Sequence, residues 1–220
     1  MAVLFSAAFT GGTDGDDLTG YTPETGTSFA RHASYSGVKM GLDGTGFAFQ
    51  DTFTLDAESL YYADPTPGNA DYYVETVMIR KELNAGSITG IAGRIDTGAN
   101  TFYRAVYDQM SSQLRLYKRI AGTDTGLGTP YAFTWFDEVS HTIRLTMTGT
   151  GIAVSLNGTD RVTATDSAIS AAGKGGMYTK YYNVTPPDPP DLRYDSFVVN
   201  GTAGGSGGKP TYYYNMLRAA

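Results

Sequence analysis

The chain has 220 residues, with 28 glycines, 17 tyrosines, no cysteine and a formal net charge of −6. The lack of cysteine excludes disulfides, Cys-ligated zinc and thiol catalysis. An acidic chain gains nothing from counterion release on a phosphate backbone, which argues against a nucleic-acid partner. No apolar run approaches a membrane span, so no membrane partner is expected.

Gly, Tyr, Thr and Ser favour strands and turns over helices, and the length suits one two-sheet domain. Residues 3–9 read as a first strand, with no basic segment before them to make a signal peptide. Turn-rich loops follow at 11–18 and 22–26. Residues 46–53 set Phe47 and Phe49 against Ala48 and Gln50, a strand pattern. Pro65 and Pro67 make a loop of 61–69, because two prolines so close cannot serve a central strand. Residues 72–80 are strongly β and suit a central position.

Residues 90–122 organise the chain as three strands joined by tight turns at 97–100 and 109–112. Phe102, Arg104, Val106 and Asp108 share one face of the second strand; Tyr103, Ala105 and Tyr107 share the other. The pattern assigns Phe102, Val106, Leu114 and Leu116 to the core, and the charges to a solvated or interfacial face. A turn at 126–130 and a short strand at 131–135 come next. In 141–148, His141, Ile143, Leu145 and Met147 share a face, which makes His141 half-buried rather than catalytic. Asn157-Gly158 between alternating segments is a strong hairpin signal. Residues 167–172 suit one helical turn, and 175–182 and 192–200 close the fold. The domain spans 1–200. Residues 201–209 form a glycine-rich linker, and 210–220 an aromatic tail. In that tail Tyr212, Tyr213, Tyr214, Met216 and Leu217 read as anchors for a neighbouring subunit, or as a segment folded back on its own domain.

Three segments carry a family resemblance. The first holds Ala8-Phe9-Thr10, Gly12-Thr13-Asp14-Gly15, Leu18, Thr22-Pro23 and Gly26. The second holds Gly93-Arg94, Tyr103 and Leu116-Tyr117-Lys118-Arg119. The third holds Arg144-Leu145, Val154, Asn157-Gly158, Asp166-Ser167-Ala168-Ile169 and Gly173. With Tyr194-Asp195-Ser196-Phe197, the pattern resembles the concanavalin A-like lectin/glucanase superfamily, which includes laminin G-like domains. The resemblance implies an all-β, two-sheet antiparallel jelly roll. Such domains recur in tailed-phage virions and as sugar-binding modules.

The first functional expectation is therefore a non-enzymatic virion protein, for capsid decoration or for a head or tail appendage. It would assemble in the host cytoplasm as a homo-oligomer bound to capsid or tail subunits. The second is a carbohydrate-binding adhesin, with Tyr61, Tyr62, Tyr181 and Tyr182 stacking on a host-surface glycan. Glycoside hydrolysis ranks third. It needs two carboxylates across a cleft, and the family's Glu-x-Asp-x-(x)-Glu run is absent. Glu75 is the only strand-borne Glu in a plausible place, and Asp137-Glu138 would point to opposite faces. The family's structural calcium uses an Asp in the last strand, which points to Asp195. Ala7 and Ala8 stand where many members carry an acid, so no cofactor is expected. Asp14-Gly15-Asp16-Asp17 reads as a polar turn, because the bidentate Glu of a calcium loop is missing.

Overall fold

The computed structural model describes residues 2–51, 56–81, 86–182 and 192–201. Its strands, in chain order, are β1 (Ala2–Ala7), β2 (Ser28–Arg31), β3 (Met40–Leu42), β4 (Ala48–Gln50), β5 (Glu58–Asp64), β6 (Tyr72–Arg80), β7 (Ser87–Asp96), β8 (Thr101–Asp108), β9 (Gln113–Ile120), β10 (Thr123–Ala132), β11 (Ser140–Thr148), β12 (Gly151–Leu156), β13 (Thr159–Thr165), β14 (Lys174–Tyr181) and β15 (Leu192–Gly201). One sheet runs β13-β12-β11-β6-β15-β4-β3, with β1 also on β15. The other runs β10-β9-β8-β7-β14-β5-β2. Pairing is antiparallel in both, and the sheets stack as a jelly-roll sandwich. Among the described residues no helix is long and apolar enough to cross a membrane.

The main core lies between the sheets. Val74 and Met78 of β6, Ile143, Leu145 and Met147 of β11, and Tyr194, Phe197 and Val199 of β15 enter it from one side. Tyr103, Ala105 and Tyr107 of β8, with Leu114 and Leu116 of β9, enter from the other. Period-two alternation delivers these side chains to one face. At Gly93 a Cβ would stand 2.4 Å from Met147 Cε, so the glycine admits the facing layer. Core tyrosines tie the sheets together through their polar ends. The Tyr194 hydroxyl lies 2.8 Å from the carbonyls of Gly90 and Tyr178 and donates between them. The Tyr72 hydroxyl meets the carbonyls of Gly173 and Lys174 at 2.9 and 3.0 Å.

Several expectations change. Tyr61 and Tyr62 lie in β5 rather than a loop, since strand pairing with β14 and β2 continues to Asp64, just before Pro65. Residues 123–132 form one bulged edge strand, and Trp135 follows it in a loop. Trp135 is fully buried, donates to the Val139 carbonyl at 2.7 Å, and packs on Tyr107, Phe133 and His141. No helical turn forms at 167–172; two short 3-10 turns sit instead at Leu18–Gly20 and Ala33–Tyr35. Phe102 and Val106 are buried, but on the outer face of the seven-stranded sheet, in a second cluster.

Candidate functional site

The outer face of the seven-stranded sheet is not a polar, solvated surface. Leu60, Ile88, Ala92, Phe102, Val106 and Tyr178 are all buried there. An antiparallel sheet with one core face normally alternates to polar residues on the other. Here a second apolar cluster forms, and Tyr35, from the 3-10 turn after β2, packs onto it. Strand register places Tyr62, Gly176, Ala92, Arg104 and Tyr117 in one row across β5, β14, β7, β8 and β9. Tyr62 and Tyr117 are therefore roughly 19 Å apart at ordinary strand spacing. Small residues lie between Tyr62 and Arg104. Tyr62, Tyr117 and Tyr182 are half-buried against the cluster.

A chain of charges runs through this face. Arg119 Nε and Nη2 donate to Asp124 at 2.8 and 2.7 Å, and Nη2 donates to Glu58 at 3.1 Å. Its Nη1 donates to Glu58 and to the Tyr35 hydroxyl. Arg104 Nη2 donates to Asp124 at 2.8 Å, and Lys180 Nζ stands 3.5 Å from Glu58. Burial pushes the Glu58 carboxyl up, but the hydrogen bond and charge of Arg119 outweigh it and hold it below its ordinary value. Asp124 is lowered on the same balance, by Arg119 and Arg104. Both carboxylates stay ionised, the opposite of what a general acid requires.

A cavity of about 430 Å³ opens where the β7–β8 turn meets the 166–173 loop. Its polar lining comes from Thr66, Arg94, Asp96, Thr97, Thr101, Ser170 and Lys174. Asp96 Oδ1 accepts from the Gly98 and Ala99 amides at 2.9 and 3.2 Å, which fixes the turn; Oδ2 takes part in neither bond. Lys174 Nζ pairs with Asp64 and lies 5.5 Å from the centre of the Tyr62 ring. Arg94 builds the wall. It is 1% exposed and donates to the carbonyls of Ala70, Ile169 and Gly149, gathering three loops. Gly173 lies so close to β7 that a Cβ would stand 2.5 Å from the Arg94 carbonyl carbon.

None of the four tyrosines named from sequence as sugar-stacking residues lines this cavity; Tyr62 adjoins it through Lys174, whose ammonium faces the ring. The Tyr61 ring is fully buried, and its hydroxyl accepts from Arg31 at 2.7 Å and reaches Asp17 at 3.1 Å. Burial raises its pKa to about 12. Tyr181 is 3% exposed. Neither ring offers a face for a sugar to stack on. Tyr182 is half-buried with Lys180 Nζ 4.5 Å from its ring. Tyr212, Tyr213, Tyr214, Met216 and Leu217, with the linker, lie outside the described residues. Asp195 sits at the β15 bulge; among the described residues no group of three or more His, Cys, Asp or Glu side chains could hold a metal ion. Glu75 is ion-paired with Arg144 at 2.6 Å, and Asp137 and Glu138 with Arg80 and Lys81. Asp17 caps a 3-10 turn and pairs with Arg31.

His32 is buried as a turn cap. Its Nδ1 accepts from the Ser34 amide at 3.2 Å, which leaves Nε2–H to face the Asp96 carbonyl at 3.3 Å. His141 is half-buried beside Phe133 and Trp135, as its strand position implied. Burial lowers its pKa from 6.5, and the hydrogen bond with Asn157 offsets only part of this. A His with a depressed folded pKa is neutral in the fold while the unfolded chain still takes up a proton. Stability is thus lost as pH falls from the unfolded pKa through the folded one. The urea midpoint should drop between about pH 7 and pH 5, and His141→Gln should flatten that drop. An equal slope in the variant would assign it to other groups.

Sequence reasoning missed Asp96, Lys174, Thr101 and Ser170 as cavity residues, and Arg104 and Arg119 as buried groups. The one available signal was the density of Arg, Tyr and Asp in 90–122.

No protein-family model and no curated protein matches this sequence. Solved structures do match its fold. A carbohydrate-binding module, CBM66 from Bacillus subtilis, aligns at 16% identity over 79% of this chain and 92% of its own, with a TM-score of 0.57. A Bacillus licheniformis beta-glucanase aligns at 12% identity over 91% and 99%, TM-score 0.56. A Bacillus subtilis protein of unknown function with a galectin-like fold aligns at 12% identity over 91% and 96%, TM-score 0.60. The fold is thus a concanavalin A-like, galectin-like jelly roll. These likenesses bear on the fold and not on a virion role.

Proposed function

We propose that the chain is a non-catalytic carbohydrate-binding module that takes its glycan at the cavity beside Tyr62. The carrying observation is the cavity lining: four hydroxyl side chains, one carboxylate, one ammonium and the Arg94 guanidinium. Sugar hydroxyls both donate and accept, and this set offers both partners. The half-buried Tyr62 ring, held next to Lys174, supplies the apolar surface that a pyranose face requires. The lining holds a single carboxylate, where glycoside hydrolysis needs two. The similar structures include both binding modules and glucanases, so the cavity chemistry carries the non-catalytic part of the reading.

A glycan array with the purified chain tests the proposal, followed by calorimetry on the best neutral ligand. Tyr62→Ala and Asp96→Ala should each weaken binding about tenfold, the effect of roughly 1.4 kcal/mol. Arg161→Ala, on the edge strand β13, should leave it unchanged. No selective binding, or wild-type affinity in both cavity variants, would overturn the reading. Release of new reducing ends from the bound polymer would overturn its non-catalytic part.

A further inference from the structure

We infer that the outer face of the seven-stranded sheet also holds a subsite for a carboxylated sugar, a uronic acid. Arg104 is its recognition residue, and Tyr35 competes with the ligand for Arg119. The inference deepens the carbohydrate reading and rests on it. The Arg104 side chain is 4% exposed and lies between two rings, 4.4 Å from the centre of Tyr178 and 5.0 Å from that of Tyr117. Those contacts engage the guanidinium charge and not its N–H groups. Nη2 is used on Asp124. Nε and Nη1 have no hydrogen-bond partner among the described residues, and neither has the Tyr178 hydroxyl.

Buried polar groups are nearly always matched, and an unmatched donor costs on the order of 1–3 kcal/mol. Three unmatched groups able to donate, side by side, call for an acceptor. A carboxylate only accepts, and a guanidinium is its usual partner. Charge favours it as well. Arg104, Arg119 and Lys180 face Glu58 and Asp124 here, in a chain of net charge −6. The third carboxylate, Asp56, pairs with Lys180 at 3.8 Å but is mostly exposed, so only the buried part of the cluster has one cation in excess.

Tyr35 packs in the same cluster as Tyr178. Its hydroxyl donates to Asn100 Oδ1 at 2.7 Å and accepts from Arg119. A carboxylate arriving at Arg104 and Tyr178 competes for the Arg119 bond, so its binding and the departure of Tyr35 are coupled. Register puts Arg104 three strands from Tyr62, roughly 14 Å, so one polysaccharide can occupy both places.

The test uses the full chain with galacturonate and galactose as probes. The arginine Nε–H resonance of Arg104 should shift with galacturonate and not with galactose. By calorimetry, oligogalacturonate should bind at least tenfold more tightly than its carboxyl-reduced counterpart. Arg104→Met should erase that difference, with Arg104→Lys as the alternative should the first not fold. Tyr35→Ala should tighten uronate binding. An unmoved Arg104 resonance, equal affinities, or a crystal structure with galacturonate in which only waters meet the three donors would overturn the subsite. Neutral-glycan binding read through Tyr62→Ala and Asp96→Ala reports on the module separately. Its persistence without uronate selectivity removes the subsite alone. Its absence beside a shifted Arg104 removes the cavity reading alone.

Discussion

Replacing Arg119 by methionine should destabilise the fold by about 3–4 kcal/mol, as expected for removing one partner from a buried ionic cluster. For a domain of this size that is a fall in Tm of roughly 6–15 °C. Arg119 serves Glu58, Asp124 and Tyr35 at once, and its side chain is only 7% exposed. Its loss leaves Asp124 with Arg104, but leaves Glu58, itself 17% exposed, with Lys180 alone. Methionine fills most of the volume, so the cost is mainly electrostatic. The pH dependence identifies that cause. Glu58 and Asp124 have depressed folded pKa values, so their contribution is present above their unfolded values of 4.5 and 3.8 and is lost as pH falls through the folded ones. The gap between wild type and Arg119→Met should therefore narrow as pH falls below about 4. Adding Glu58→Leu should recover part of the loss at neutral pH, since an apolar replacement of a buried pair is often neutral. Urea unfolding across pH measures all three. A loss under about 1 kcal/mol at pH 7 would place these charges in the exposed-pair regime instead.

How much of this was legible depends on what each residue's local pattern encodes. β6 and β8 were readable to the residue, because Tyr72–Arg80 is rich in β-branched and aromatic residues and Thr101–Asp108 alternates cleanly between firm turns. The Asn157-Gly158 hairpin was readable because both residues need positive φ, and both have it, at 50° and 80°. Alternation also separates the two faces of β8 correctly. What it cannot say is whether the second face meets solvent. Arg104 and Arg119 lie on a face that reads as solvated or interfacial, yet both are buried: the Tyr117 and Tyr178 rings flank Arg104, and Tyr35, 84 residues upstream, bonds Arg119. The cavity was illegible for the same reason. Thr66, Asp96 and Ser170 meet only because β14 pairs with both β5 and β7, and neither pairing is local. Tyr61 and Tyr62 show the limit at single-residue scale. Neighbours in sequence point to opposite faces of β5, so one is a core residue and the other stands beside the cavity.

Arg94→Ala is the second large effect, and it tests whether the cavity depends on one side chain. The guanidinium donates to Ile169, Gly149 and Ala70 carbonyls at 2.7, 2.9 and 3.0 Å, and Asp71 lies 3.6 Å away. Hydrogen bonds from a charged group contribute about 1.5–3 kcal/mol each in isolation, but these three belong to one guanidinium and are not additive. The expected loss is about 4 kcal/mol, with the void left at a fully buried site included. The planar guanidinium can serve three carbonyls in different directions, which a lysine ammonium on a thinner stem does less well. Arg94→Lys should therefore recover less than half of the stability. The functional consequence separates this residue from ordinary core positions. Ile169 belongs to the loop that forms one side of the cavity, and Arg94 joins it to the Ala70 and Gly149 loops. In Arg94→Lys, glycan affinity should fall at least as far as in Asp96→Ala. Met147→Ala, in the main core on the face opposite Gly93, provides the control. It should lose comparable stability while glycan affinity stays near wild type. Matching affinities in Arg94→Lys and wild type would show that the loop holds the cavity without its central clamp.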